Sequence, residues 1–139
     1  LEELGAEPVT GLAEASMRIA ARRGPFAIVT GGQGWREPLR RLAFSIGLID
    51  DLVAIETVDA SGAYLAAHPE EARELLSRAC FAAIASGRSR DRELQSIIIG
   101  GAGLIGFARA LAPLVPIPLL DSVSCGLELA AERMNRPIK

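Results

Sequence analysis

Aromatic residues are scarce in this 139-residue chain, where four Phe, one Trp and one Tyr make up 4% of the total. A surface built to stack unpaired bases needs more of them. Charge of one sign is missing too: fifteen basic residues stand against seventeen acidic ones, a net charge of −2. That balance leaves no electrostatic footprint for DNA, RNA or an anionic membrane. Cysteine is limited to Cys80 and Cys125, which have neither metal-type spacing nor the pattern of a disulfide framework. A reducing, cytoplasmic setting and no metal site are therefore expected. Long apolar runs are absent because Gly and Pro interrupt them well short of the roughly 20 residues a membrane span needs. The opening LEELGAEPVT has carboxylates and a proline where a signal peptide has basic and apolar regions, and no initiator Met precedes it. Neither internal repeats nor a linker break the chain, so its length predicts one domain over residues 1–139.

Apolar residues are plentiful at 50%, enough for a sizeable core. They fall into short strand-like runs separated by helical patterns, the mark of a parallel α/β sheet covered on both faces. Strands are predicted at about 7–10 (EPVT), 26–30 (FAIVT), 52–57 (LVAIET), 96–100 (SIIIG) and 117–120 (IPLL). In HPEEARELLSRACFAAIAS, Pro69 suits the first helical position, and Glu70 and Glu71 suit the positive end of the dipole. Ala72, Leu75, Leu76, Ala79, Cys80, Ala83 and Ile84 recur at helical spacing and form one buried stripe, which makes Cys80 a core residue. A second amphipathic helix is predicted in GWREPLRRLAFSIGL, with Pro38 in its first turn, Gly47 ending it, and Leu39, Leu42, Ala43 and Ile46 toward the sheet. Trp35 is expected to cover an edge of the core. Residues 86–94, SGRSRDREL, are expected to be a solvated connection whose charges need no partner. His68, before Pro69, reads as a capping or surface residue.

In a sheet of this kind ligands sit beyond the carboxyl ends of the strands. Three such ends stand out: Thr30-Gly31-Gly32, Gly100-Gly101-Ala102-Gly103, and Asp121-Ser122. Gly101, Gly103 and Gly106 fit G-x-G-x-x-G, and Asp121 follows about 20 residues later, where a dinucleotide fold places its ribose-binding carboxylate. Only one helix can follow Asp121, whereas that fingerprint normally opens a run of further βα units. A small carboxylate or amide held by backbone N–H groups is the other candidate. A purely structural reading lets the glycines bring helix and strand close together and makes Asp121 the cap of the last helix.

PVTGLAEASM (8–17), FAIVTGGQGW (26–35), IIIGGAGLIG (97–106) and VPIPLLDSVSCGLELA (115–130) resemble successive motifs of the aspartate/glutamate/hydantoin racemase superfamily, in its hydantoin and allantoin racemase branch. The resemblance implies a three-layer, flavodoxin-like α/β lobe equivalent to the second of two pseudosymmetric lobes, with its returning C-terminal helix. It also implies a cofactor-independent isomerase acting on an amino-acid-derived substrate such as a hydantoin. One cysteine from each lobe would face the α-carbon, one thiolate removing the proton and the opposite thiol returning one. Inversion needs an acid and a base on opposite faces and donors already in place for the developing enolate. The substrate-binding set then comprises Thr30, Gly31, Gly32, Gly100, Gly101, Ala102, Gly103, Asp121 and Ser122.

Two departures bear on chemistry. The family's second cysteine stands in a G-C-A-G turn, and here that position is Gly101. The first cysteine belongs to a segment upstream of P-V-x-G-x-x-E, so the first lobe is expected to lie outside this sequence. Cys125 is the remaining candidate thiol. A helix N-terminus would lower its pKa, against the plainer reading that it packs the last helix on the sheet. Glu14, at the family's G-x-x-E position, is expected to be structural near a helix start. Three functions stay open: a racemase-type enzyme, a single-thiol decarboxylase-like or non-catalytic small-anion binder, and a dinucleotide domain. An uncovered lobe should expose apolar surface and associate into oligomers.

Overall fold

Two strands of this protein, FAIVTG and SIIIG, have apolar centres, and in the computed structural model they lie at the centre of the sheet. The structure describes residues 2–100, 104 and 106–135. The elements run α1 (Glu2–Arg23), β1 (Phe26–Gly31), α2 (Arg36–Ser45), β2 (Leu52–Val58), α3 (Gly62–Ala67), α4 (Pro69–Ser89), β3 (Ser96–Gly100), α5 (Phe107–Leu111), β4 (Leu119–Asp121) and α6 (Ser122–Asn135). The four strands are all parallel and ordered β2-β1-β3-β4. This is the flavodoxin-like winding, in which the chain starts inside the sheet and moves first to one edge, then to the other.

Side-chain alternation explains the three layers. Ala27 and Val29 of β1 and Ile97 and Ile99 of β3 pack against Leu76, Cys80 and Ala83 of α4. Phe26, Ile28 and Ile98 point to the opposite face, against Met17 and Ala20 of α1 and Ala43 of α2. A third cluster, Ala15, Ile19, Cys125 and Leu129, closes the seam between α1 and α6. The stripe on α4 and the sheet face of α2 are as the spacing predicts. Gly47, at φ +78°, ends α2 in the left-handed conformation, with Gly47 N–H donating to Phe44 O and Leu48 N–H to Ala43 O.

The structure departs from the sequence reading in several places. Residues 7–10, predicted as a strand, lie within α1. A run of four residues carries no usable period. Its neighbours on both sides are, apart from Gly5 and Gly11, mostly strong helix formers, whose summed preference outweighs Val9, Thr10 and even Pro8. The last strand begins at Leu119 rather than 117, since Pro116 and Pro118 cannot donate to the ladder; Pro118 contributes only its carbonyl, to Ile97 N–H. The first part of 86–94 is the last turn of α4. There Gly87 is buried and a Cβ would fall 2.4 Å from Arg92 O. Two charges of that stretch do have partners: Arg90 donates to Val53 O at 3.0 Å, and Arg92 to Asp50 O. Trp35 ends a short 3-10 turn and is 45% exposed, so it does not seal the core edge. Its place at the N-cap of α2 turns it outward.

Candidate functional site

The carboxyl ends of the strands are tied together by short polar contacts rather than by long side chains. Thr30, buried at the end of β1, donates its hydroxyl to Gly100 O at 3.1 Å and so fixes the β1 and β3 ends together. Gly31 is held between the β1 end and the loop after β2. A Cβ there would stand 2.8 Å from Ala60 O and 3.0 Å from Leu65 Cδ1. Gly32 then turns left-handed at φ +86° and donates its N–H to Val58 O at 3.0 Å. Gly100 closes β3; Gly101, Ala102 and Gly103, the centre of the glycine turn, lie outside the described residues.

Asp121 performs two jobs visible at its oxygens. Oδ1 accepts Ser124 N–H at 3.1 Å, capping α6, and Oδ2 accepts Gly106 N–H at 3.3 Å, holding the start of α5. Gly106 itself is left-handed, at φ +91°, before α5. A carboxylate turned onto its own backbone in this way serves as a cap, the role the purely structural reading gives it. Ser122, the first residue of α6, is buried beside it. The structure therefore brings Thr30, Gly31, Gly32, Gly100, Asp121 and Ser122 to one edge of the sheet.

The other candidates sit elsewhere. Cys125 is 4% exposed in the α1–α6 seam, among Ala15, Ile19 and Leu129. Its thiol is pushed up to about 11, chiefly by burial and further by the negative charges of Glu128 and Asp121, while Arg23 and a hydrogen bond from Ser16 pull weakly the other way. The lowering expected from the helix N-terminus is thus outweighed by desolvation. Cys80 is wholly buried and pushed up to about 12 by the same cause. Glu14 lies in the middle of α1 rather than near its start, paired with Arg18 at 2.9 Å one turn on. His68 enters α4 as expected, stacked on Tyr64 with ring centroids 4.1 Å apart. Tyr64 donates its hydroxyl to Glu71 at 2.8 Å, which raises the phenol pKa. Among the described residues no group of three His, Cys, Asp or Glu side chains could hold a metal, and no helix is long and apolar enough to cross a membrane.

The sequence reading missed one contributor, the loop after β2. Its segment Asp59-Ala60-Ser61-Gly62 abuts Gly31, and Ser61 caps α3 by accepting Tyr64 N–H at 3.1 Å. The signal was present in TVDASG, a strand end followed by turn residues and a cap-forming serine.

Small residues and hydroxyls thus stand at the parallel strand ends, with a cap-held helix start beside them. The model of the family described as Asp/Glu/Hydantoin racemase matches residues 1–130. The chain belongs to that family. It is 29% identical over 133 residues to the hydantoin racemase of Paenarthrobacter aurescens, covering 94% of this chain and 53% of that protein. Among solved structures, the fold is similar to the allantoin racemase from Klebsiella pneumoniae, with TM-score 0.75 and 22% identity over 88% of this chain and 49% of that one. It is also similar to the allantoin racemase from Pseudomonas fluorescens, with TM-score 0.73 and 17% identity over 91% of this chain and 51% of that one. The chain spans about half the length of the relatives it matches.

Proposed function

We propose that this chain is the substrate-holding lobe of a cofactor-independent, racemase-type isomerase, and that its ligand is a small amino-acid-derived anion or a hydantoin. The observation that carries this is the convergence of Thr30, Gly31, Gly32, Gly100 and Ser122 beside the start of α6, in a chain of the racemase family. Hydroxyls, backbone N–H groups and the positive end of a 14-residue helix are the donors that stabilise a carboxylate or a developing enolate. The chemistry also needs a base at the α-carbon. Position 101, next to the end of β3, carries glycine where the family carries its second thiol. Cys125 is packed in a seam and held protonated. One base of the pair is therefore missing from this lobe, and a lone thiol from the other lobe exchanges the α-proton without inverting the centre. Cytoplasmic location and association of copies belong to the same proposal.

The test is proton NMR in deuterated buffer with a panel of hydantoins, amino acids and arylmalonates on the complete protein. Loss of the α-proton signal with retained optical rotation is the expected result, and Gly101→Cys should then bring racemisation up toward the exchange rate. Absence of exchange across the whole panel refutes the catalytic reading. The second reading, a silent binder, rests on the absence of a reactive thiol or imidazole among the described strand-end residues. It is recognised by ligand protection without exchange. Saturable NAD(H) fluorescence would instead favour a dinucleotide site.

A further inference from the structure

The outer edge of β2 carries a feature that the strand-end chemistry does not use. A cavity of about 390 Å³ runs along residues 52–56 of that strand, between the first turns of α2 and the exit of α4. Its volume is within the range of small-molecule sites, and it shares no residue with the strand-end set. Four guanidinium groups line it: Arg36 and Arg40, one turn apart on α2, and Arg90 and Arg92 across from them. Asp50 and Glu56 also line it. None of the ion pairs found among the described residues joins any of these six charges.

Two of the arginines have a structural task. Arg90 covers the β2 edge by donating to Val53 O, a common way to blunt an unpaired strand edge, and Arg92 donates to Asp50 O in the turn before β2. Arg36 and Arg40 do neither. They are exposed, make no hydrogen bond or ion pair among the described residues, and add like charge to a cavity that already holds two cations. Four guanidinium groups against the two carboxylates of Asp50 and Glu56 leave the groove a formal charge of +2 that an entering anion offsets, and their planar forks match carboxylate and phosphate oxygens. A second copy paired edge to edge by a two-fold axis would set these arginines against themselves, so a copy of this chain is a poor occupant.

We propose that this groove binds a small multivalent oxyanion, a phosphate ester or a polycarboxylate, at a site separate from the strand ends. The inference stands on the groove alone and does not depend on the racemase reading. The test is calorimetric titration of the protein with pyrophosphate and, separately, citrate, at low and at physiological ionic strength. Saturable one-to-one binding of at least one probe is expected, and the two arms distinguish phosphate from carboxylate chemistry. The Arg36→Ala/Arg40→Ala variant, which leaves the Arg90 and Arg92 backbone contacts in place, should weaken binding about tenfold or more. Arg73→Ala/Arg78→Ala removes equal charge from the outer face of α4 and should leave binding unchanged. No saturable heat from either probe overturns the proposal. So does an affinity retained in the α2 variant, or lost equally in the α4 variant.

Discussion

Gly31→Ala tests how the candidate site is built. The backbone there is not left-handed, so the cost is purely steric. The new methyl would meet Ala60 O at 2.8 Å and Leu65 Cδ1 at 3.0 Å. A carbon-to-carbonyl contact settles near 3.3 Å or beyond, so the loop after β2 must retreat by about 0.5 Å. Leu65 cannot yield freely, because it is wholly buried in the cluster formed with α4. Overpacking of this kind costs about 1–3 kcal/mol. With a urea slope of about 2 kcal/mol/M for a small domain, the midpoint should fall by roughly 0.5–1.5 M without a change in slope. Gly32→Ala is the companion. At φ +86°, with only Trp35 Cδ1 nearby at 3.8 Å, it meets conformational strain of about 1–2 kcal/mol and no clash. Both variants should destabilise, but only Gly31→Ala should loosen the loop after β2, read as faster amide exchange at Ala60 to Leu65. An unchanged urea midpoint for Gly31→Ala, or equal loop exchange in the two variants, would refute the argument that the β1 end is clamped against that loop.

Asp121→Ala should cost about 1–2 kcal/mol by removing the α6 cap and the tether to Gly106, whereas Asp121→Asn, with a single acceptor oxygen, can keep one of the two contacts and should lose less; a loss equal to that of the Ala variant in thermal melts would show that one acceptor oxygen does not hold the cap. The two buried thiols set a pH dependence. Their native pKa values, about 12 for Cys80 and about 11 for Cys125, lie above the ordinary 9.0, so the unfolded chain ionises first. Stability from this source is complete below pH 9 and is lost between pH 9 and 11–12. Cys80→Ala/Cys125→Ala should flatten that part of the unfolding curve, and an unchanged slope would contradict the burial of the thiols.

What could be read in advance followed from strong periodicity. The α4 stripe, from Ala72 to Ile84, repeats through more than three turns and could bury only one face, and β1 and β3, apolar at their centres, could only be central parallel strands. Residues 7–10 and 117–120 were misplaced because runs of about four residues carry no period, leaving flanking propensity and proline to decide them. The candidate site divides in the same way. Asp121 as a helix cap was legible because an acceptor three residues before a helical N–H has one dominant use, and the structure puts Ser124 N–H on it. The clamp on Gly31 was hidden, since it depends on Ala60 O and Leu65, which the β2–α3 loop brings back over β1. The arginines were hidden for the opposite reason. Arg36 and Arg40 read as the solvated side of a helix, and Arg90 and Arg92 as part of a charged connection. Only the parallel winding, which leaves β2 at the edge with α2 on one face and α4 on the other, sets the four around one groove. Strand-end chemistry is written in short motifs because each βα turn is local. A site between two helices and a sheet edge belongs to the topology, and its charges look ordinary until the chain is wound.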